Sequence, residues 1–214
     1  MMLKWNHRVV LAGALAGAVA VAGCGDVSRT GRAPAQVVIE KLEAASGAAP
    51  DEFFGSLASD VLTMRTQPAP CSEASPCPTV FNDFGKATMS LVMKDPGQPG
   101  FPSSPSALNT VTFSRYRVEY MRTDGHNIQG VDVPYAFDSA ATFTVPVNGS
   151  VAGAFEIVRT IAKSEAPLQA LVSQAKTIQT IAKVTFYGRD QAGNEVIATG
   201  NIGISFGNFA DPAQ

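Results

Sequence analysis

Charge, histidine and tryptophan are all scarce in this chain. Only 16% of its 214 residues are charged, 16 Lys and Arg against 18 Asp and Glu, for a net charge of −2. With no basic excess there is no electrostatic hold on a phosphate backbone, which excludes a nucleic-acid partner of that kind. The scarcity of charge is not that of a disordered chain. Apolar residues make up 45% of the sequence, whereas disorder combines low hydrophobicity with high charge. There is no Walker-type phosphate loop and no complete EF-hand loop, and nothing calls for a cofactor. The length fits one domain with appendages.

The first segment is charged and then greasy. Lys4, His7 and Arg8 precede Val9 to Ala22, 14 residues without a charge. A membrane-spanning helix needs about 20 apolar residues, so this stretch reads as a signal-peptide core. It ends in Val21-Ala22-Gly23-Cys24. These four residues resemble the lipobox of bacterial lipoproteins, in which an aliphatic residue, two small residues and Cys close the signal. The competing reading is an uncleaved helix followed by a chance cysteine. The resemblance implies a signal peptide over 1–23, cleavage before Cys24, and lipid on that Cys. Two or more acyl chains anchor stably where one anchors marginally. Removing the leader, which carries Lys4 and Arg8 and no acid, leaves 14 basic and 18 acidic side chains, a formal −4. Such a body has no electrostatic attraction to anionic lipid, so the lipid alone is the expected membrane contact. Asp26 stands one place beyond the position that marks inner-membrane retention in some bacteria. That points to the outer membrane and periplasm.

Residues 24–35 (CGDVSRTGRAPA) contain almost no large apolar side chain and read as a flexible tether. Twelve residues span at most about 40 Å. The remaining cysteines, Cys71 and Cys77, lie close together in a Pro- and Ser-rich segment. An exported chain meets an oxidising compartment, so a disulfide is expected. Zinc, the rival, needs about four ligands, and His126 is the only histidine beyond the leader.

From residue 36 to 210 the pattern is that of one β-rich domain. Residues 36–46 fit either a helical face or a β-branched strand, with the balance toward a strand. Leu57 to Met64 reads as a strand. In Lys86 to Lys94, Ala87, Met89, Leu91 and Met93 share one face. Val111 and Phe113 occupy odd positions, but Tyr116, Val118 and Tyr120 even ones. A parity flip requires an extra residue, so a β-bulge is expected near Ser114-Arg115. Asn148-Gly149 is a hairpin signal between the runs ending at Val147 and starting at Val151. Ser164 to Ala175 reads as the one helix, capped by Ser164, with Pro167 in its first turn. Leu168, Leu171, Val172 and Ala175 would form its apolar face. Two strands, Ile178 to Tyr187 and Glu195 to Phe206, follow, and 211–214 is a tail.

About seven strands and one short helix before the penultimate strand give the profile of an all-β antiparallel sandwich. The Asp190-Gln191-Ala192-Gly193-Asn194 turn resembles the Asp-x-x-Gly-Asn turn of bacterial Ig-like domains. The resemblance implies an Ig-like fold and no particular partner. There is no Cys pair to join two sheets, and Trp5, in the leader, is the only tryptophan.

Alternating strands send successive loops to opposite ends. One end should hold 66–85, 123–139 and 161–177, and the other 95–109, 148–149 and 190–194. The first offers Asp83, Asp124, His126, Asn127, Asp132, Tyr135 and Asp138 as candidate ligand-binding residues. Such residues also serve ordinary turns. The second offers the Pro-rich loop 97–105, with Phe101 at its middle.

Catalytic patterns are thin. Gly203-Ile204-Ser205-Phe206-Gly207 matches G-x-S-x-G, but it continues a strand and no His follows it. His126 lies in a turn sequence, Thr-Asp-Gly-His-Asn. Asp132 and Asp138 are the carboxylate pair to consider for glycoside hydrolysis, although a loop spacing fixes no geometry. Asp190 can cap its own turn, and Arg115, Arg117 and Arg122 read as a solvated strand face. Two functions follow. One is a lipid-anchored, non-catalytic Ig-like module of the cell envelope with a binding or structural role, toward an envelope protein or a glycan. The other is an exported hydrolase with its site in the 123–139 loop. It requires at least two of Asp124, His126, Asp132 and Asp138 to converge in a pocket.

Overall fold

The computed structural model describes residues 31–209. The expected signal peptide, the lipidation candidate Cys24 and the expected 211–214 tail lie outside the described residues. Strand accounts for 54% and helix for 7%, so the fold is mostly β, with several sheets, one of them a curled half-barrel.

A three-stranded sheet has the order β1 (Ala35–Ala45), β5 (Asp83–Met93), β10 (Ser150–Val158). A five-stranded sheet has the order β2 (Ser56–Asp60), β12 (Glu195–Gly207), β11 (Ile178–Asp190), β8 (Val111–Met121), β9 (Phe137–Val145). All pairs in the two sheets are antiparallel except β2 with β12. Two small ribbons complete the set, β3 (Thr63–Arg65) with β4 (Cys77–Thr79), and β6 (Gly97–Gln98) with β7 (Phe101–Pro102).

The 36–46 segment is a strand, and it starts earlier than its sequence suggests. Ala33 is buried, and the Pro34 carbonyl accepts the Lys94 amide at 3.0 Å, so the tether gives way to folded chain before residue 36. In β5 the expected alternation holds, with Ala87, Met89 and Leu91 buried. The bulge is where the parity flip places it. Phe113 pairs with Phe143 and Gly188, Arg115 with Ala140 and Tyr187, and both ladders shift their register across Ser114. Opposite β11, Ser114 is the extra residue that keeps Phe113 and Tyr116 both in the core, whereas opposite β9 the extra residue lies on β9 between Ala140 and Phe143.

Three local expectations fail, two through contacts distant in the chain and the third through a proline. The run Leu57 to Met64 breaks after Asp60, whose carboxylate accepts the Phe209 amide and the Thr63 hydroxyl, both at 3.2 Å. Asn148-Gly149 does not close a hydrogen-bonded hairpin. β9 pairs with β8 and β10 with β5, so the turn is a corner that carries the chain from one sheet to the other. The helix expected over 164–175 is replaced by one turn, α1 (Thr160–Lys163), and a 3-10 segment, Leu168–Ser173. Ser164 ends α1 instead of starting a helix. Pro167 lacks an N–H and restricts the residue before it, which separates the two pieces. Leu168 and Leu171 are buried as expected, while Val172 and Ala175 are exposed.

The core is one aromatic cluster shared by both large sheets. Phe155 of β10 lies 5.2 Å from Tyr116 of β8 and 5.2 Å from Phe186 of β11, centroid to centroid, both edge-on. Edge-on contact suits the ring quadrupoles. The polar tips are satisfied across the same gap. Tyr120 Oη donates to the Ile157 carbonyl at 2.6 Å, and Tyr116 Oη accepts the Glu156 amide at 3.2 Å.

Candidate functional site

The strand registers define two ends. β11, β9 and β5 end at Asp190, Val145 and Met93, and β8 begins at Val111, at one end, with the 95–109 and 190–194 loops, and the Gln191 amide donates to the Leu108 carbonyl there at 3.2 Å. Asp83, Met121 and Val158 mark the other, where the 123–136 loop, the disulfide loop and α1 gather. Cys71 and Cys77 are bonded, with Cα atoms 5.4 Å apart. Inside their loop Ser72 and Ser75 exchange two backbone hydrogen bonds of 3.1 Å.

Asp83 is not a loop ligand. It opens β5 and is wholly buried beside Lys163, with side-chain exposures of 0% and 1%. Lys163 Nζ lies 3.0 Å from Oδ1 and 2.9 Å from Oδ2. The Ser59 hydroxyl donates to Oδ2 at 2.6 Å and the Gly47 amide to Oδ1 at 3.0 Å. A Cβ on residue 47 would sit 2.0 Å from the Asn82 carbonyl oxygen, so only glycine brings this amide in. Burial pushes the Asp83 carboxyl above its usual range, against the opposing pull of Lys163. Four chain segments meet at this carboxylate, and a group so enclosed holds structure together.

The other candidates are engaged locally. Asp124 forms a two-pronged pair with the Arg122 guanidinium, through Nε at 3.1 Å and through Nη2, and accepts the His126 amide at 3.2 Å. Arg122 holds the Asp124 carboxyl down at about 2. His126 is a surface turn residue, 68% exposed, with Nδ1 3.5 Å from Asp124 Oδ1. Asn127 clamps the loop base, accepting the Arg122 amide at 2.6 Å and donating to the Arg122 carbonyl at 3.2 Å. Asp132 accepts the Ile128 amide at 3.0 Å. Tyr135 is exposed, its hydroxyl end packed against Gly130. Asp138 lies on β9, bonded to Arg115 at 3.0 Å and Arg117 at 2.6 Å. Of the proposed hydrolytic set, only Asp124 and His126 touch, and Asp132 and Asp138 each bind other groups. Among the described residues no group of three or more His, Cys, Asp or Glu is placed to hold a metal.

Two features escape the sequence reading. One is the Asp83–Lys163 pair, joined across 80 positions. The other is a groove of about 530 Å³ beside the Ser114 bulge, lined by Ser114, Arg115, Tyr187, Arg189, Gln191 and Ile197. The Arg115 guanidinium lies over the Tyr187 ring at 3.9 Å, and Arg189 pairs with Glu195 at 3.3 Å. The parity flip is the signal that marks this groove. Asp190 caps its own turn as expected, accepting the Ala192 and Asn194 amides at 3.0 and 2.8 Å. Ser205 lies within β12 and bonds Gln179 at 2.6 Å, a strand residue and no nucleophile elbow. No known family, no curated protein and no solved structure matches the chain.

Proposed function

We propose that this protein is a lipid-anchored module of a bacterial cell envelope, an Ig-like β-sandwich with a non-catalytic binding or structural role. The observation that carries the reading is Val21-Ala22-Gly23-Cys24 at the end of a charged and then apolar leader. The Cys71–Cys77 disulfide agrees with export, because paired thiols persist as disulfides in oxidising compartments. The sandwich is supported by the aromatic cluster between the two large sheets and by the turn that carries β9 into β10. A non-catalytic role is supported by the local engagement of the loop carboxylates, each by a nearby cation or amide. An envelope protein or a glycan is the partner class that an anchored module of this kind would meet.

The test is Cys24→Ser in the full chain expressed in a bacterium. Lipid should be found by mass on the Cys24 peptide of the parent, which fractionates with membranes. The variant should lose both properties. A parent chain without lipid, or a variant that stays in the membrane fraction, refutes the anchor.

A further inference from the structure

We propose that the β6–β7 hairpin is a membrane-contact tip, and that Phe101 inserts into the boundary layer of the bilayer holding the Cys24 lipid. This rests on the anchor reading above and adds an orientation to it.

The first support is where the chain leaves the fold. β1 starts at Ala35, opposite Met93, and Pro34 is bonded to Lys94. Lys94 Nζ lies 3.5 Å from the Gly31 carbonyl. Only Asp95 and Pro96 separate Lys94 from the hairpin. The tether and the hairpin therefore leave from neighbouring strands, β1 and β5, at the same end. Gly31 stands seven positions after Cys24, a span of at most about 25 Å. A lipid on Cys24 thus holds this end near the bilayer. Strands of 11 to 13 residues, at about 3.3 Å per residue, set the Asp124 loops roughly 35 Å farther away.

The second support is the tip itself. Phe101, at 82%, is the most exposed large apolar side chain among the described residues, while Leu108 at the same end, at 64%, is matched by Ile128 and Val131 at the other. The hairpin is built to hold Phe101 out. Pro99 and Gly100 form its two-residue turn, and Gly100 has φ +87°, a conformation that favours glycine. At its base Asp95 Oδ1 accepts the Gly97 amide at 2.9 Å, and the Ser103 amide donates to the Pro96 carbonyl at 3.0 Å. A formal −4 on the mature chain gives no electrostatic attraction to anionic lipid. The contact is therefore apolar. One aromatic ring is a weak membrane ligand, but beside a lipid anchor its effective concentration at the surface is high. The ring sets orientation, and the lipid supplies retention.

The chain's only tryptophan, Trp5, belongs to the leader, so a new indole reports alone in the mature protein. The lipidated full-chain product of Phe101→Trp, and of Tyr135→Trp at the opposite end, would be reconstituted into phosphatidylethanolamine–phosphatidylglycerol vesicles with brominated acyl chains. The expected result is a blue shift of about 10 nm and a loss of about half the emission for Phe101→Trp, with Tyr135→Trp unchanged. Lipid on Cys24 with a water-like, unquenched Phe101→Trp indole overturns this proposal and leaves the anchor standing. Equal quenching of both variants also overturns it, because the domain would then lie on its side. A Cys24 peptide without lipid overturns the anchor and this inference together.

Discussion

The two ends of the domain are fastened by different links, and both leave apolar side chains in solvent. At the far end the chain is fastened by polar and covalent links, namely the enclosed Asp83–Lys163 pair, the Cys71–Cys77 bond and the Arg122–Asp124 clamp. At the end where β1 begins, the turns are held by backbone hydrogen bonds and by the Asp95, Asn109 and Asp190 side chains, and Phe101 and Leu108 stand in solvent, as Ile128, Val131 and Tyr135 do at the far end. The far end carries three long excursions, whereas the near end carries one, residues 94–110 between β5 and β8, beside two short turns. The candidate side chains at the far end each hold their own loop, Asp124 through the Arg122 guanidinium, Asn127 through the Arg122 backbone and Asp132 through the Ile128 amide. The exposed apolar groups at the near end have no such internal duty.

Removing one half of the buried pair is the most damaging way to test that contrast. Asp83→Ala leaves the Lys163 ammonium without a counter-charge in a site closed to water, and should cost roughly 3–5 kcal/mol in denaturant unfolding. Asp83→Leu with Lys163→Met should recover most of that loss, leaving about 1–2 kcal/mol for the unpaired Gly47 amide and Ser59 hydroxyl. If the single variant unfolds like the parent, the far end is not fastened there.

The disulfide comes next. Its loop is short, with a sequence separation of 6, and loop-closure entropy gives about 2 kcal/mol for it. Cys71→Ser with Cys77→Ser should lower stability by that amount at unchanged m-value. A change of similar size on adding reductant to the parent would show the same link, and no change in either experiment would remove the disulfide from the far-end fastenings.

Period-two patterning made most of the strands legible, and the parity flip located the bulge, because each of these is a local property of the chain. The Asp190 turn was legible for the same reason, its acceptor and donors lying within four residues. Lys163 was not. Nothing in Thr-Ile-Ala-Lys distinguishes a solvated lysine from one drawn inward by a carboxylate 80 positions away. The Asn148-Gly149 corner failed similarly. The turn signal was present, but which sheet β10 would join depended on β5. The helix over 164–175 had the right apolar spacing at Leu168 and Leu171, yet Pro167 decided the backbone.

Acid separates the two kinds of aspartate at the far end. Asp124 has its folded pKa near 2, below the ordinary 3.8, because of Arg122. Its contribution is therefore present above pH 4 and lost as pH falls from about 4 to about 2. Asp83 has a raised folded pKa, so its linkage runs the other way. It favours folding below the ordinary carboxylate pKa and fades as pH rises through the folded value. Asp124→Asn should flatten the fall in melting temperature between pH 4 and pH 2. An unaltered slope would mean that the Arg122 clamp does not persist in solution.

The smallest effect is expected at the tether end. Phe101 is almost wholly in solvent and its neighbours' hydrogen bonds are made by backbone, Asp95 and Gly97. Phe101→Ser removes little buried area and should move the unfolding free energy by no more than about 0.5 kcal/mol. An exposed aromatic ring that contributes nothing to the fold still costs solubility, so its variant should be at least as soluble as the parent in lipid-free buffer. A loss of 2 kcal/mol or more on Phe101→Ser would mean that the ring packs against the domain, and the contrast between the two ends would no longer hold.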